Sequence, residues 1–392
     1  RYPMLELLFL LLPVAAAYGW FMGRNSIKQN DQSVKTDLSK KYSQGINYLL
    51  SNQEDKAIEH LIETLKIEDD SIEAHFAMAN LFRKRGELDR ALKVHEHLVR
   101  HKYLPDDAKH KAAFELGKDF FSAGLYDRAE AMFQRLLKSK KYELKALSYL
   151  MQIFQSTKDW QKGIALEKNI VKSNDKKLLH ILANFYCELA TTAHQEDDNL
   201  EVIELLEKAL KLDNKSCRAN WLMALIYEQH EQYEHAIECY INIYQQDIEF
   251  FPDVIDKMEH CYDENGNTDD FYRFIKNVYN ETGSTSALIK YVDHLVDTGK
   301  VEQANQFILS GLKRRSTIHG FKHFVKIQLN ANNSPQESES LTVIRELVSA
   351  YLKVKPRYSC RNCGFNSATH YWSCPSCHEW EQLKPVRGLE GE

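Results

Sequence analysis

The sequence predicts an all-α fold: a solenoid of stacked helix–turn–helix pairs, with an apolar segment before it and a small four-cysteine module after it. Three observations carry that prediction. A small or equivalent residue recurs at Ala57, Ala91, Ala129, Gly163, Val202, Ala236, Asp270 and Ala304, at intervals of 34, 38, 34, 39, 34, 34 and 34. Leu5 to Met22 is apolar except for Glu6. Cys360, Cys363, Cys374 and Cys377 form two Cys-x-x-Cys pairs. With 15 Gly and 8 Pro in 392 residues, helix breakers are scarce.

The apolar run comes first. Eighteen helical residues extend about 27 Å, close to the ~30 Å hydrocarbon core of a bilayer. Tyr18 and Trp20 near one end suit an interface, and the basic residues Arg24, Lys28, Lys35, Lys40 and Lys41 follow it. Ala15–Ala17 resembles a signal-peptide cleavage site, but a signal peptide has a basic segment before its apolar core. If Met4 is the start, none precedes the run here. The expectation is an uncleaved single-pass anchor at residues 4–23, with the bulk of the chain cytoplasmic. Residues 24–37, rich in Asn, Gln, Ser and Lys, read as a tether.

The solenoid is expected over residues 38–353, in about eight to nine units. Twelve residues before most markers stands a small residue: Gly45, Ala79, Gly117, Ala190 and Ala224. Nine before stands an aromatic: Tyr48, Phe82, Phe120, Phe154 and Tyr227. Four after stands a large apolar residue: Leu61, Phe133, Leu206, Tyr240, Phe274 and Ile308. Small residues let the two helices of a unit cross closely, and the large ones fill the gap to the next unit. The period and pattern resemble tetratricopeptide repeats over residues 38–312. The seventh unit departs, with Asp270 at the small position, and the eighth departs with Val292. Residues 317–353 read as one more, degenerate pair.

The module is expected over residues 354–392. Each Cys-x-x-Cys turn aims two thiolates at one point, and two facing turns make a tetrahedral cage for one iron or zinc ion. Gly364 suits the tight turn after Cys363. Paired disulfides are the alternative. Cys187, Cys217, Cys239 and Cys261 lie in apolar helical contexts, a usage that fits a reducing compartment and argues against disulfides. Cys-x-x-Cys-Gly-Phe followed by Trp372-Ser-Cys374-Pro-x-Cys377 resembles the rubredoxin family. The loop between the pairs is shorter than in free rubredoxins, where a small sheet lies. The expectation is therefore a reduced structural knuckle docked on the last helices. Lys353, Lys355, Arg357, Arg361, Lys384 and Arg387 would give it a positive rim, able to meet acidic or anionic surfaces.

No enzyme signature holds. There is no glycine-rich phosphate loop, and His95-Glu96-His97-Leu98-Val99 lacks the second histidine of a zinc-protease helix. The net charge of −5 gives no reason to expect nucleic acid as a partner. Helical solenoids bind proteins on the face lined by the first helix of each pair. By register, Asn80, Arg83, Lys111, Lys118, Arg218 and Trp221 are candidates for partner binding there. Arg offers a bidentate fork, and Trp221 reads more readily as packing.

The ordered combination of anchor, repeats and knuckle resembles the lipopolysaccharide assembly protein B family of Gram-negative inner membranes. The run Met4-Leu-Glu-Leu-Leu-Phe-Leu-Leu-Leu-Pro13 and the segment Phe185-Tyr-Cys-Glu-Leu-Ala190 look like that family too. The resemblance implies a non-enzymatic adaptor that couples lipopolysaccharide synthesis to export. It implies that the adaptor promotes degradation of the lipid A pathway deacetylase by the membrane protease FtsH, and contacts with an inner-membrane lipopolysaccharide sensor and export proteins. Homo-oligomerisation stays open. The rival reading is a membrane-tethered, rubredoxin-like electron carrier.

Overall fold

The computed structural model describes residues 18–22, 48, 56, 72–102, 104–195, 199–331 and 335–392. The expected anchor lies outside the described residues apart from 18–22, which are helical and exposed. Among the described residues no helix is long and apolar enough to cross a membrane. The tether and nearly all of the first repeat, with Gly45, Ala57 and Leu61, also lie outside them.

From Ile72 onward the chain runs as helical pairs. They are α1 (Ile72–Lys84) with α2 (Leu88–Arg100), and α3 (Asp106–Ser122) with α4 (Tyr126–Leu136). Next, α5 (Glu143–Thr157) pairs with a second helix broken into α6 (Trp160–Ile164) and α7 (Glu167–Ser173). Then come α8 (Lys176–Gln195) with α9 (Asn199–Leu212), and α10 (Cys217–Gln229) with α11 (Tyr233–Gln246). The last are α12 (Phe251–Glu264) with α13 (Thr268–Thr282), α14 (Thr285–Asp297) with α15 (Val301–Arg314), and α16 (Ile318–Ala331) with α17 (Pro335–Lys353). Two compact units divide the chain, residues 1–153 and 154–392.

One turn recurs between paired helices. A residue with positive φ stands at Gly86, Gly124, Lys158, Glu231, Gly266 and Gly299. The next residue's N–H donates back to the carbonyl of Phe82, Phe120, Phe154, Tyr227, Tyr262 or Leu295, at 2.8–2.9 Å. This is the Schellman ending, which satisfies carbonyls that a helix terminus would leave open. Five residues after each left-handed residue comes the innermost position of the second helix: Ala91, Ala129, Gly163, Ala236, Phe271 and Ala304, all buried.

That fixed spacing corrects the seventh repeat. Asp270 is exposed, and Phe271 holds the inner position. The large apolar residue likewise moves from Phe274 to Ile275, which is fully buried. The 34-residue ruler ran one residue short here, because the turn glycine sits one residue late. The other large positions, Phe133, Leu206, Tyr240 and Ile308, are fully buried as the packing argument requires.

The close crossing is tightest at Gly117. A Cβ there would lie 2.8 Å from the Phe133 ring. That ring stacks on Tyr149 at 4.8 Å and meets Phe114 edge-on at 5.8 Å, so it has no room to retreat. Gly117→Val is expected to cost about 1–3 kcal/mol through overpacking, read as a lower urea midpoint at unchanged slope.

Cys187, Cys217, Cys239 and Cys261 are buried and free. Burial pushes the thiols of Cys187, Cys239 and Cys261 up to about 12. They behave as small core hydrophobes, as their contexts suggested.

Candidate metal centre

The module after α17 is not a bare knuckle. Three short strands, β1 (Tyr358–Cys360), β2 (Asn366–Ser367) and β3 (Leu383–Pro385), form an antiparallel sheet in the order β2-β1-β3. The expectation that the short inter-pair loop would remove the sheet is thereby corrected. A two-residue strand between the cysteine pairs suffices, because β1 runs into the first cysteine and β3 lies beyond the last.

The two cysteine turns are near copies. Gly364 N–H donates to the Cys360 carbonyl at 2.9 Å, and His378 N–H to the Cys374 carbonyl at 2.8 Å. Gly364 and His378, each four residues past the first cysteine of its pair, both have positive φ. The turns bring all four sulfurs within 4.8 Å of one another. Cys360 Sγ to Cys377 Sγ and Cys363 Sγ to Cys374 Sγ are both 3.7 Å. That distance is far too long for a disulfide, which needs ~2.05 Å. It matches the ~3.8 Å edge of a tetrahedron whose corners lie ~2.3 Å from a central ion. The donor set therefore fits one thiophilic metal, with each ligand position filled by protein sulfur. Among the described residues no other cluster of this kind occurs.

The sulfurs differ in surroundings. Cys360 and Cys374 are buried, Cys377 is half-buried and Cys363 is exposed. Burial raises the Cys374 thiol, whereas the Phe365 N–H holds Cys363 down to about 7. Metal binding must therefore displace protons, and affinity falls as pH falls.

The module touches the last helices, as expected, through Ile318 N–H to the Leu389 carbonyl, and reaches well beyond them. It lies across the N-terminal ends of α8, α10, α12, α14 and α16. Glu381, 6% exposed, accepts from Ser216 Oγ at 3.0 Å and from the N–H groups of Cys217 and Arg218 at 3.2 and 3.4 Å. Glu392 does the same at α14, accepting from Ser284 Oγ and the N–H groups of Thr285 and Ser286. A carboxylate at a helix N-terminus satisfies open N–H groups and meets the positive end of the helix dipole. The stacking of repeats brings several such ends to one side, and the module supplies acids to two of them.

Five of the six residues of the expected positive rim, all but Lys353, are used internally. Arg357 pairs with Asp253, Arg361 and Arg387 with Glu249, and Lys384 with Asp247. Lys355 pairs with Glu390. Aromatic rings fill the space between. Trp372 packs on Phe250 and Trp221 at 5.6 Å each, and Trp380 meets Trp160 at 6.2 Å.

Two of the partner-binding candidates lie against the module. Arg218 is buried; it pairs with Glu188 and lies 5.3 Å from the Trp380 ring centre and 6.0 Å from that of Trp372. Trp221 is partly buried against Trp372. Both are covered by the chain's own module. The other four lie in the first unit, where Arg83 and Lys111 pair with acids of the neighbouring first helix, Lys118 with one on its own helix, and Asn80 bonds Arg83. Arg83 bonds Asn80, Glu115 and the buried Asp119. Lys118 pairs with Glu115 at 2.9 Å and Lys111 with Glu73 at 2.6 Å.

Two relatives match along the full chain. It is 39% identical over 388 residues to lipopolysaccharide assembly protein B of Escherichia coli (strain K12), spanning 99% of this chain and 100% of that protein. It is 33% identical over 398 residues to the protein of the same name from Haemophilus influenzae, at the same coverage. The chain belongs to the lipopolysaccharide assembly protein B family. Residues 358–385 match the family described as rubredoxin metal binding domain, and 74–109 match tetratricopeptide repeat. A tetratricopeptide repeat protein from Parabacteroides merdae aligns at TM-score 0.35 and 13% identity, over 71% of this chain and 99% of that one.

Sequence reasoning missed the residues that seat the module in this family member: Glu381, Glu392, His180 and His370. His180 Nδ1 lies 2.6 Å from Asp213, and its ring also bonds the Trp380 backbone. Burial opposes its charge, but the Asp213 hydrogen bond and nearby Glu381 outweigh it, so its pKa is raised. His370, buried among Phe250, Tyr358 and Trp372, is pushed down to about 4 by burial. The two titrate with opposite sign. The His180 contribution is complete below ~6.5 and is lost as pH rises through its raised pKa. The His370 contribution is complete above ~6.5 and is lost as pH falls towards about 4. At ~1.36 kcal/mol per pKa unit, the latter reaches about 3 kcal/mol. In denaturation of metal-loaded protein from pH 4.5 to 8.5, His370→Gln is expected to flatten the acid limb, and His180→Gln the alkaline limb.

Proposed function

We propose that the chain is a non-enzymatic adaptor in lipopolysaccharide assembly, held at the inner membrane by residues 4–23 with its bulk in the cytoplasm. In this reading it couples synthesis to export by presenting the lipid A pathway deacetylase to FtsH, under the control of an inner-membrane lipopolysaccharide sensor. The single observation that carries the reading is full-length identity of 39% with a protein named for lipopolysaccharide assembly. The repeat architecture supports it, since stacked helical pairs offer extended surfaces to other proteins. The apolar run supports tethering, which raises the local concentration of a client beside a membrane protease.

The test is a pulse-chase of the deacetylase in cells depleted of their own family member. Expression of this chain is expected to shorten the deacetylase half-life in an FtsH-dependent way. Deletion of residues 4–22 is expected to leave a folded protein with little effect on that half-life. An unchanged half-life with the intact chain, at normal expression, overturns the reading.

A further inference from the structure

The hairpin at residues 372–381 carries two cysteines and most of the docking contacts. Cys374 and Cys377 stand at its tip. Its legs are joined by Glu381 N–H to the Trp372 carbonyl at 2.7 Å, by Cys374 N–H to the Glu379 carbonyl at 3.0 Å, and by the Ser373–Trp380 bridge. The same legs grip the repeats. Besides Glu381 and the two tryptophans, the His378 carbonyl accepts from Gln155 at 2.6 Å and Glu379 pairs with Lys177 at 2.6 Å. The other cysteine turn faces outward, since residues 361–364 are exposed. The cage therefore joins an exposed sulfur, that of Cys363, to a fully buried one, that of Cys374, lying 3.7 Å away on the docking hairpin.

We propose that the cage is an oxidant-sensitive latch: peroxide reacting at Cys363 converts the Cys363–Cys374 pair to a disulfide, opens the cage and undocks the module. Oxidation starts at accessible thiolates that have a resolving cysteine beside them, and Cys363 is the one exposed sulfur of the four. Its sulfur attacks hydrogen peroxide; an S–O bond forms, the O–O bond breaks and hydroxide leaves. The Cys374 sulfur then attacks that oxidised sulfur; the S–S bond forms, the S–O bond breaks and a second hydroxide leaves. Two electrons pass from the two thiolates to the peroxide, so the step balances. The pair must close from 3.7 Å by about 1.7 Å to reach disulfide length, which pulls Cys374 and its hairpin away from the repeats. Cys360 and Cys377 alone are half of a tetrahedral set, too few to keep a structural ion. Undocking uncovers Arg218 and Trp221, the two candidate partner-binding residues beneath the module.

The test treats the zinc-loaded full chain, in detergent micelles, with hydrogen peroxide. Zinc has no redox chemistry of its own, so the electrons come from sulfur. A colorimetric chelator reads zinc release, fragmentation mass spectrometry maps the disulfides, and hydrogen exchange reads docking. The expected result is zinc release in step with a Cys363–Cys374 link, with faster exchange across residues 372–381 and at the start of α10. Dithiothreitol with added zinc should reverse all three. Cys363→His keeps four zinc ligands without the exposed sulfur, and is expected to release zinc about tenfold more slowly. If that variant does not load, the link map of the unaltered chain decides alone. Zinc retained under excess peroxide overturns the proposal. So does zinc release with Cys363 still free, a first link joining any pair other than Cys363 and Cys374, a loaded Cys363→His protein as sensitive as the unaltered chain, or exchange unchanged after release.

Discussion

Replacing Cys374 by serine is expected to release the metal and unfold residues 358–385. Cys374 is fully buried and contributes one corner of the sulfur tetrahedron. A structural ion of this type supplies ~10 kcal/mol or more of folding free energy. Within itself the module has little else to order it: its sheet has strands of three, two and three residues. Its own buried cluster consists of Tyr358, Cys360, Cys374 and Leu383. Metal content should fall from one ion per chain to none, and protease should cut within the module. The repeats should stay helical, because the core running from Cys217 to Ile327 is built mostly from their own helices. A Cys374→Ser protein that keeps stoichiometric metal and a protected module would show that the cage is not what folds it.

Glu381→Ala is expected to undock the module while leaving its metal bound. The carboxylate caps α10, and the substitution leaves the N–H groups of Cys217 and Arg218 without that acceptor. It also removes a negative neighbour of His180. Truncating one member of a buried, hydrogen-bonded charged cluster costs roughly 3–5 kcal/mol. Burial raises the Glu381 pKa, against the pull of His180 and its three donors, so the native charge is itself held at a cost. A figure near 3 kcal/mol is therefore expected. Hydrogen exchange should rise across residues 358–385 and at the start of α10, with metal content unchanged. Glu381→Gln, which still offers one acceptor oxygen, should fall between wild type and alanine. Unchanged exchange in Glu381→Ala would place the docking energy elsewhere, in the tryptophan contacts or in the ion pairs that the module's basic residues make with Asp247, Glu249 and Asp253.

The repeats were legible because their packing is local. Small residues, aromatics and turn glycines recur where each helix meets its partner, and one period describes them. The period misled at Asp270, where one residue is inserted before the turn glycine and one is removed after it. The left-handed turn was the better ruler, since the start of the second helix is counted from it. The cage was legible for a related reason: two residues between cysteines fix the geometry of the turn that holds them.

Docking was not legible. Glu381 looks like any exposed glutamate after a tryptophan, and the basic residues from Arg357 to Arg387 look like a free rim. Their partners lie 104 to 165 residues away in sequence, and no short pattern links them. By itself, the sequence determined the helical pairs, their turns and the four-sulfur cage, because each depends on contacts within a few dozen residues. Only the tertiary structure decided where the module rests, and that Arg218 and Trp221 serve it. Stacking the repeats is what assembles, from distant segments, the helix ends and acidic side chains that the module binds.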